Sequence, residues 1–175
     1  MRTDRLSTIY VRARPGNRAQ GWLIAGSLCI PVALGRSGIR ANKREGDGGT
    51  PRGRFRLVRL WWRPDRQSRP RTLLPVRRIG KNDGWCENPA DRRYNRPISM
   101  EDRPGDRLWR DDRLYDFIIE LDHNTRPRVA GRGSAVFIHV ARPGFAPTAG
   151  CVALNANPLK RLLERVGPRT RIVIH

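Results

Sequence analysis

Residues 135–154 read Ala135-Val-Phe-Ile-His-Val-Ala-Arg-Pro-Gly-Phe-Ala-Pro-Thr-Ala-Gly-Cys-Val-Ala-Leu154. Two apolar runs of strand length, Ala135–Val140 and Cys151–Leu154, bracket a loop carrying Pro143, Gly144 and Pro147, which reads as two buried strands joined by a turn-rich connection. His139 stands near the end of the first run and Cys151 at the start of the second, twelve positions later. Each has a bland reading, since free cysteine packs as a small hydrophobe and a histidine closing a strand is often structural. Together they are a different object. A loop that folds back can bring imidazole and thiol within hydrogen-bond reach, and such a pair suffices to make a thiolate near neutral pH, the requirement for covalent acyl transfer. Gly150 permits close substrate approach, and the backbone N–H groups of Gly150 and Cys151 are candidate donors to a developing oxyanion. The Thr148 hydroxyl is suited to shaping the nucleophile loop.

Outward from this stretch, Leu114–Leu121 reads as the clearest central strand. Leu6–Arg14, Trp22–Ile24, Cys29–Ala33, Arg54–Trp62, Leu73–Ile79 and Arg171–His175 supply further strands between turn signals such as Pro15-Gly16 and Gly26-Ser27. One helix is expected over 157–166, with Asn157 as N-cap, Pro158 in the first helical position, Leu159, Leu162, Leu163 and Val166 on one face, and Gly167-Pro168 as the stop. Strands outnumber helices, so the fold class is mainly β with a short helix in the C-terminal half. A length of 175 residues bounds the chain to one domain, 1–175, with 1–7 expected to fray. The glycines of 35–53 make a turn-rich loop without the lysine and Ser/Thr of a phosphate-binding loop. Trp85–Met100, dense in turn formers, is expected at the surface as one wall of a cleft.

The formal charge is +20, with Lys43, Lys81 and Lys160 the only lysines among 36 basic residues. Such a charge attracts polyanions without identifying which, and a GC-rich genome would raise arginine by itself. Eight of the 16 acidic residues lie between Glu101 and Asp122, in position either to form a negative patch or to pair with neighbouring arginines. Trp61, Trp62, Trp85 and Trp109 beside so many arginines also admit a nucleic-acid-binding β domain, provided the rings lie on one basic face. Cys29, Cys86 and Cys151 cannot all pair within the chain. A Cys29–Cys86 disulfide stays open, and neither the cysteines nor His123, His139 and His175 have metal-site spacing. No apolar run is long enough to span a membrane, and 21–35 reads as buried strand because no cleavage site follows it.

The order of these elements resembles the YkuD-type L,D-transpeptidase catalytic domain, across residues 8 to 175. The resemblance rests on His139 with Thr148-Ala-Gly-Cys151, on Ala33-Leu-Gly-Arg-Ser-Gly-Ile39, on Lys43-Arg-Glu-Gly-Asp-Gly-Gly-Thr-Pro-Arg-Gly-Arg-Phe55, and on the segments around Tyr94-Asn95 and Gly133–His139. It implies a β-sandwich or partly closed barrel, no cofactor, and residence in the bacterial periplasm or cell envelope. It also implies acyl transfer in which Cys151 attacks a peptidoglycan stem tetrapeptide, releases D-alanine and passes the acyl group to a second stem in a 3-3 cross-link, or to water. His139 is the implied base, Gly150 and Thr148 the implied loop and oxyanion residues, and Tyr94, Asn95, Arg96 and Ala149 the implied donor-cleft residues. Stem peptides and an amine acceptor are the expected partners of a monomer, with no dedicated nucleic-acid partner. Ala149 and Ala153 stand where many members carry histidine and arginine, so only His139 remains for the base role, and a catalytically silent wall-binding domain with the family fold stays open as an alternative.

Overall fold

The computed structural model describes residues 5–101 and 104–175. Period-two alternation builds its first wall: in β1 (Thr8–Arg14) Ile9 and Val11 turn inward, in β2 (Asn17–Ala25) Leu23 and Ala25 do so, and in β3 (Leu28–Ala33) Ile30 and Val32. The two-residue strands β4 (Ile39–Arg40) and β5 (Thr50–Pro51) pair in parallel across the glycine-rich loop. The long β6 (Gly53–Trp62) follows, with β7 (Val76–Arg78) parallel to its end. A small antiparallel sheet comprises β8 (Asp83–Trp85), β9 (Pro97–Ser99) and β10 (Asp106–Arg107). Then come β11 (Phe117–Leu121), β12 (Phe137–Val140), β13 (Val152–Leu154), the helix α1 (Ala156–Leu163) and β14 (Arg171–Ile174).

The order β11-β12-β13-β3-β2-β1-β14-β6, closed by pairing of β6 with β11, makes an eight-stranded mixed barrel. Closure removes the edges that an open sheet would expose. The barrel interior is filled by the inward residues named above together with Leu57, Leu60, Ile119, Ile138 and Val152. Leu159, Leu162 and Leu163 of α1 join the same core, fully buried. An isolated eight-residue helix is marginal in water, so burial of these leucines, worth about 1.5–3 kcal/mol each, holds it. The helix starts earlier than the sequence suggests: Asn155, not Asn157, is the N-cap, because the Leu159 N–H already bonds the Asn155 carbonyl at 3.0 Å.

A second core lies outside the barrel. Trp61, Ile118 and Phe137 point outward from β6, β11 and β12 and are covered by Ile79, Trp85, Leu108, Leu114 and Tyr115. The Trp85–Met100 stretch is therefore only partly surface: Trp85, Cys86, Tyr94, Asn95 and Ile98 are buried, because they roof that outer face. The tryptophan platform does not form. Trp61, Trp62 and Trp85 are buried, and Trp109 packs under the Arg63 guanidinium, 3.6 Å from its ring centre. The acidic stretch mostly pairs with arginine, as in Asp112–Arg110 at 2.7 Å and Asp116–Arg66 at 3.3 Å. All three cysteines are free, so the Cys29–Cys86 bridge is absent. Of residues 1–7, 1–4 lie outside the described residues, whereas Leu6 is tied by its N–H to Arg165 and by its carbonyl to the Thr170 hydroxyl.

Candidate active site

Alternation along β12 puts Ile138 into the barrel and Phe137 and His139 outside it. The parallel pairing of β12 with β13 sets His139 opposite Ala153, so Cys151, two residues before Ala153, lies on the same outer face. Strand rise and spacing then separate the His139 and Cys151 Cα positions by about 8 Å, and among the described residues the two side chains bond other partners rather than each other. Both line one cleft of about 720 Å³ between barrel and outer layer, with Thr148, Ala149 and Gly150 on its rim and Tyr115, Asp106, Glu87, Lys43, Arg36, Arg110 and Arg142 around it.

The nucleophile loop is shaped by one hydroxyl. Thr148 Oγ1 accepts the Gly150 N–H at 3.1 Å and donates to the Cys151 carbonyl at 2.7 Å. Gly150 has φ +152°, and a Cβ there would stand 2.8 Å from the Gly49 carbonyl oxygen, so glycine is required both for backbone angle and for space. The Gly46–Gly49 loop that presses on it is organised by Asp47, which accepts from Lys43 Nζ at 2.6 Å and from the Arg44 and Gly49 N–H groups. Burial opposes ionisation of Asp47, but those donors prevail and hold its carboxyl below the usual range. Because the Gly150 N–H is taken by Thr148, the Cys151 N–H is the better oxyanion candidate: it has no acceptor among the described residues.

His139 Nδ1 lies 2.9 Å from the Val140 carbonyl oxygen. A carbonyl only accepts, so Nδ1 carries the proton and Nε2 is left as the basic nitrogen. Tyr115 stacks edge-on against the imidazole at 5.3 Å and anchors its own hydroxyl on Asp106 at 2.7 Å. The thiol proton points at the Ala135 carbonyl, 3.2 Å away, while the sulphur accepts the Phe137 N–H at 3.4 Å. Burial dominates both reacting groups, lowering His139 to about 4 and pushing Cys151 up to about 12. The resting pair is therefore neutral thiol and neutral imidazole, not the thiolate that spacing alone suggests. Glu87 still meets solvent at the rim, yet desolvation by the cleft walls, then Asp106 and Glu45, push it up to about 7.

Of the residues singled out from sequence, Cys151, His139, Gly150, Thr148 and Ala149 come together at the cleft. Tyr94, Asn95 and Arg96 are not among its lining residues. Tyr94 donates to Glu45 and receives the Gly133 N–H, while Asn95 ties Trp85 Nε1, the Ala135 N–H and the carbonyls of His123 and Asn124 into one knot. Tyr94 and Asn95 thus support the wall from behind, whereas Arg96 is exposed. Tyr115, Asp106, Glu87 and Arg110 were invisible as site residues, because only the packing of the outer layer over β12 brings them to the cleft. The one available signal was the cluster of acids between Glu101 and Asp122.

The chain's residues 7–174 match the family model YkuD, described as the L,D-transpeptidase catalytic domain. No curated protein and no solved structure gives a significant match.

Proposed function

This chain belongs to the YkuD L,D-transpeptidase catalytic-domain family, and from that premise we propose that Cys151 and His139 carry out cysteine acyl transfer on peptidoglycan stem tetrapeptides in the bacterial cell envelope. The observation that carries the reading is the common outer face of β12 and β13, which makes Cys151 and His139, with its Nε2 unprotonated, lining residues of one cleft.

His139 Nε2 takes the thiol proton as sulphur attacks the carbonyl carbon of the diamino-acid residue, so charge develops only together with the new C–S bond. This concerted order suits a buried neutral pair, since a free thiolate–imidazolium would lack solvation. The Cys151 N–H receives the oxyanion, a contact worth on the order of 3 kcal/mol in the transition state. Collapse expels the amine of D-alanine, which takes the proton from His139, leaving a thioester. An acceptor amine then attacks the thioester, gives its proton to His139, and the proton returns to sulphur. Amine acceptance yields the 3-3 cross-link; water as acceptor makes the same residues an L,D-carboxypeptidase.

The test is intact-mass measurement after mixing the protein with a defined stem tetrapeptide and a second amine. The expected result is an adduct confined to Cys151 and then ligated product, with Cys151→Ala slowed by about 10⁴-fold or more. Hydrolysed product alone selects carboxypeptidase activity, and turnover surviving in Cys151→Ala overturns the mechanism.

A further inference from the structure

The strands β3, β2, β1, β14 and β6 are consecutive in the barrel, and none of the five contains an aspartate or glutamate. From Arg5 to Arg44 the chain has no acidic residue at all. In the ring of eight, β1 is the fourth neighbour of β12 in either direction, so the centre of this wall is diametrically opposite the cleft. Its outer face presents Arg12 and Arg14 from β1 and Arg54 and Arg56 from β6, all exposed. None of the four guanidinium groups is ion-paired among the described residues, and the Asp122 carboxylate at the edge of the wall accepts the Arg56 backbone N–H at 2.7 Å. Arg56 even faces another arginine, Arg171, across the ladder, where like charges are destabilising. Between the arginines lie Tyr10, 40% exposed, and Trp22, 37% exposed, with Trp22 directly opposite Arg12. At strand spacing the five strands cover about 20 Å.

We infer that this arginine-rich wall is a second, non-catalytic docking surface that holds a peptidoglycan strand by the free carboxylates it carries while the opposite cleft acts on a stem peptide. Charge complementarity supports an anionic occupant, and the planar guanidinium matches carboxylate oxygens in paired hydrogen bonds. A linear polymer fits this barrel wall better than a bilayer does, because the exposed rings Tyr10 and Trp22 stand beside arginines rather than in an apolar patch. Base stacking is poorly served, since Tyr10 is already stacked on His175 at 5.9 Å and Trp22 is the one remaining exposed ring among these residues. The choice of a wall glycan rests on the function proposed above; the basic, unpaired surface does not.

Purified peptidoglycan sacculi serve as probe in co-sedimentation between 50 and 300 mM salt, at roughly the range over which surface charge is progressively screened. The combined variant Arg12→Gln, Arg14→Gln, Arg54→Gln and Arg56→Gln is expected to lose about tenfold or more in sacculus affinity at low salt and most of its salt dependence. Replacing the same four by lysine restores most of the binding, which separates charge from any folding defect. Turnover of a soluble stem tetrapeptide stays within about twofold, because no substituted residue reaches the cleft. Unchanged sacculus binding by the glutamine variant overturns the inference. So does equal affinity, at the same salt, for a single-stranded oligonucleotide or for vesicles of anionic phospholipid. If no variant and no wild-type protein turns over tetrapeptide, the catalytic reading fails while the sedimentation arm still reports on this wall.

Discussion

The two opposite walls of the barrel obey the same strand alternation yet meet different surroundings. On the β1 side the outward residues Tyr10, Arg12 and Trp22 face solvent, and only the inward set is buried. On the β11–β12 side both faces are buried, because Trp85, Leu108 and Tyr115 of the outer layer lie over the outward residues. A polar group on the first wall stays hydrated. A thiol and an imidazole on the second are desolvated and neutral. The covering layer, not the barrel, sets the chemistry of these two strand residues.

The contrast predicts its largest stability effect at the covering layer. Trp85→Ala should cost about 3–5 kcal/mol, since its ring packs edge-on to Trp61 and Phe137 and its Nε1–H holds Asn95. Denaturant unfolding checks it, and a loss under 1 kcal/mol would mean that the layer is not a true second core. Next comes pH. A histidine held at about 4 in the folded chain binds fewer protons than its unfolded form below about pH 6.5, so its contribution is present above that pH and is lost as pH falls toward 4. The difference is about 3 kcal/mol at most, and it should appear as a flatter acid limb in urea unfolding of His139→Asn. The raised thiol acts oppositely, removing stability as pH climbs from 9 toward about 12, and Cys151 should resist alkylation by iodoacetamide near neutrality. A rate plateau below pH 8 would contradict the neutral resting pair.

Gly150→Ala should destabilise by about 1–3 kcal/mol and slow acyl transfer, since the methyl meets the Gly49 carbonyl and the backbone angle is unfavourable. Thermal unfolding and tetrapeptide turnover measure the two consequences. The smallest effect is expected on the bare wall, where Trp22→Ala should stay within about 1 kcal/mol in the same unfolding assay that reads Trp85→Ala. Equal losses at the two tryptophans would erase the distinction between the walls.

Much of the barrel was legible because its strands are short-range features. Alternation marks β1 and β2, continuous apolar residues mark β11 and β12, and Pro15-Gly16 and Gly26-Ser27 mark turns. The helix was legible from the leucine spacing, though its first turn was misplaced because either Asn155 or Asn157 satisfies a capping preference. The burial of Trp85–Met100 was not legible, since turn formers look alike whether a loop is bare or roofs a core. Likewise Tyr94 and Asn95 carried family resemblance without indicating whether they face the cleft or its back.

The amino-acid sequence alone determined the mainly β character and the pairing of His139 with Cys151 as candidates, because periodicity and residue chemistry are local properties. Tertiary structure alone decided that both side chains share one desolvated face, that the Gly49 carbonyl leaves room only for glycine at 150, that Thr148 occupies the Gly150 N–H, and that the arginines of β1 and β6 gather on one wall. Those outcomes depend on which distant strands become neighbours when the sheet closes, and on what then covers each face.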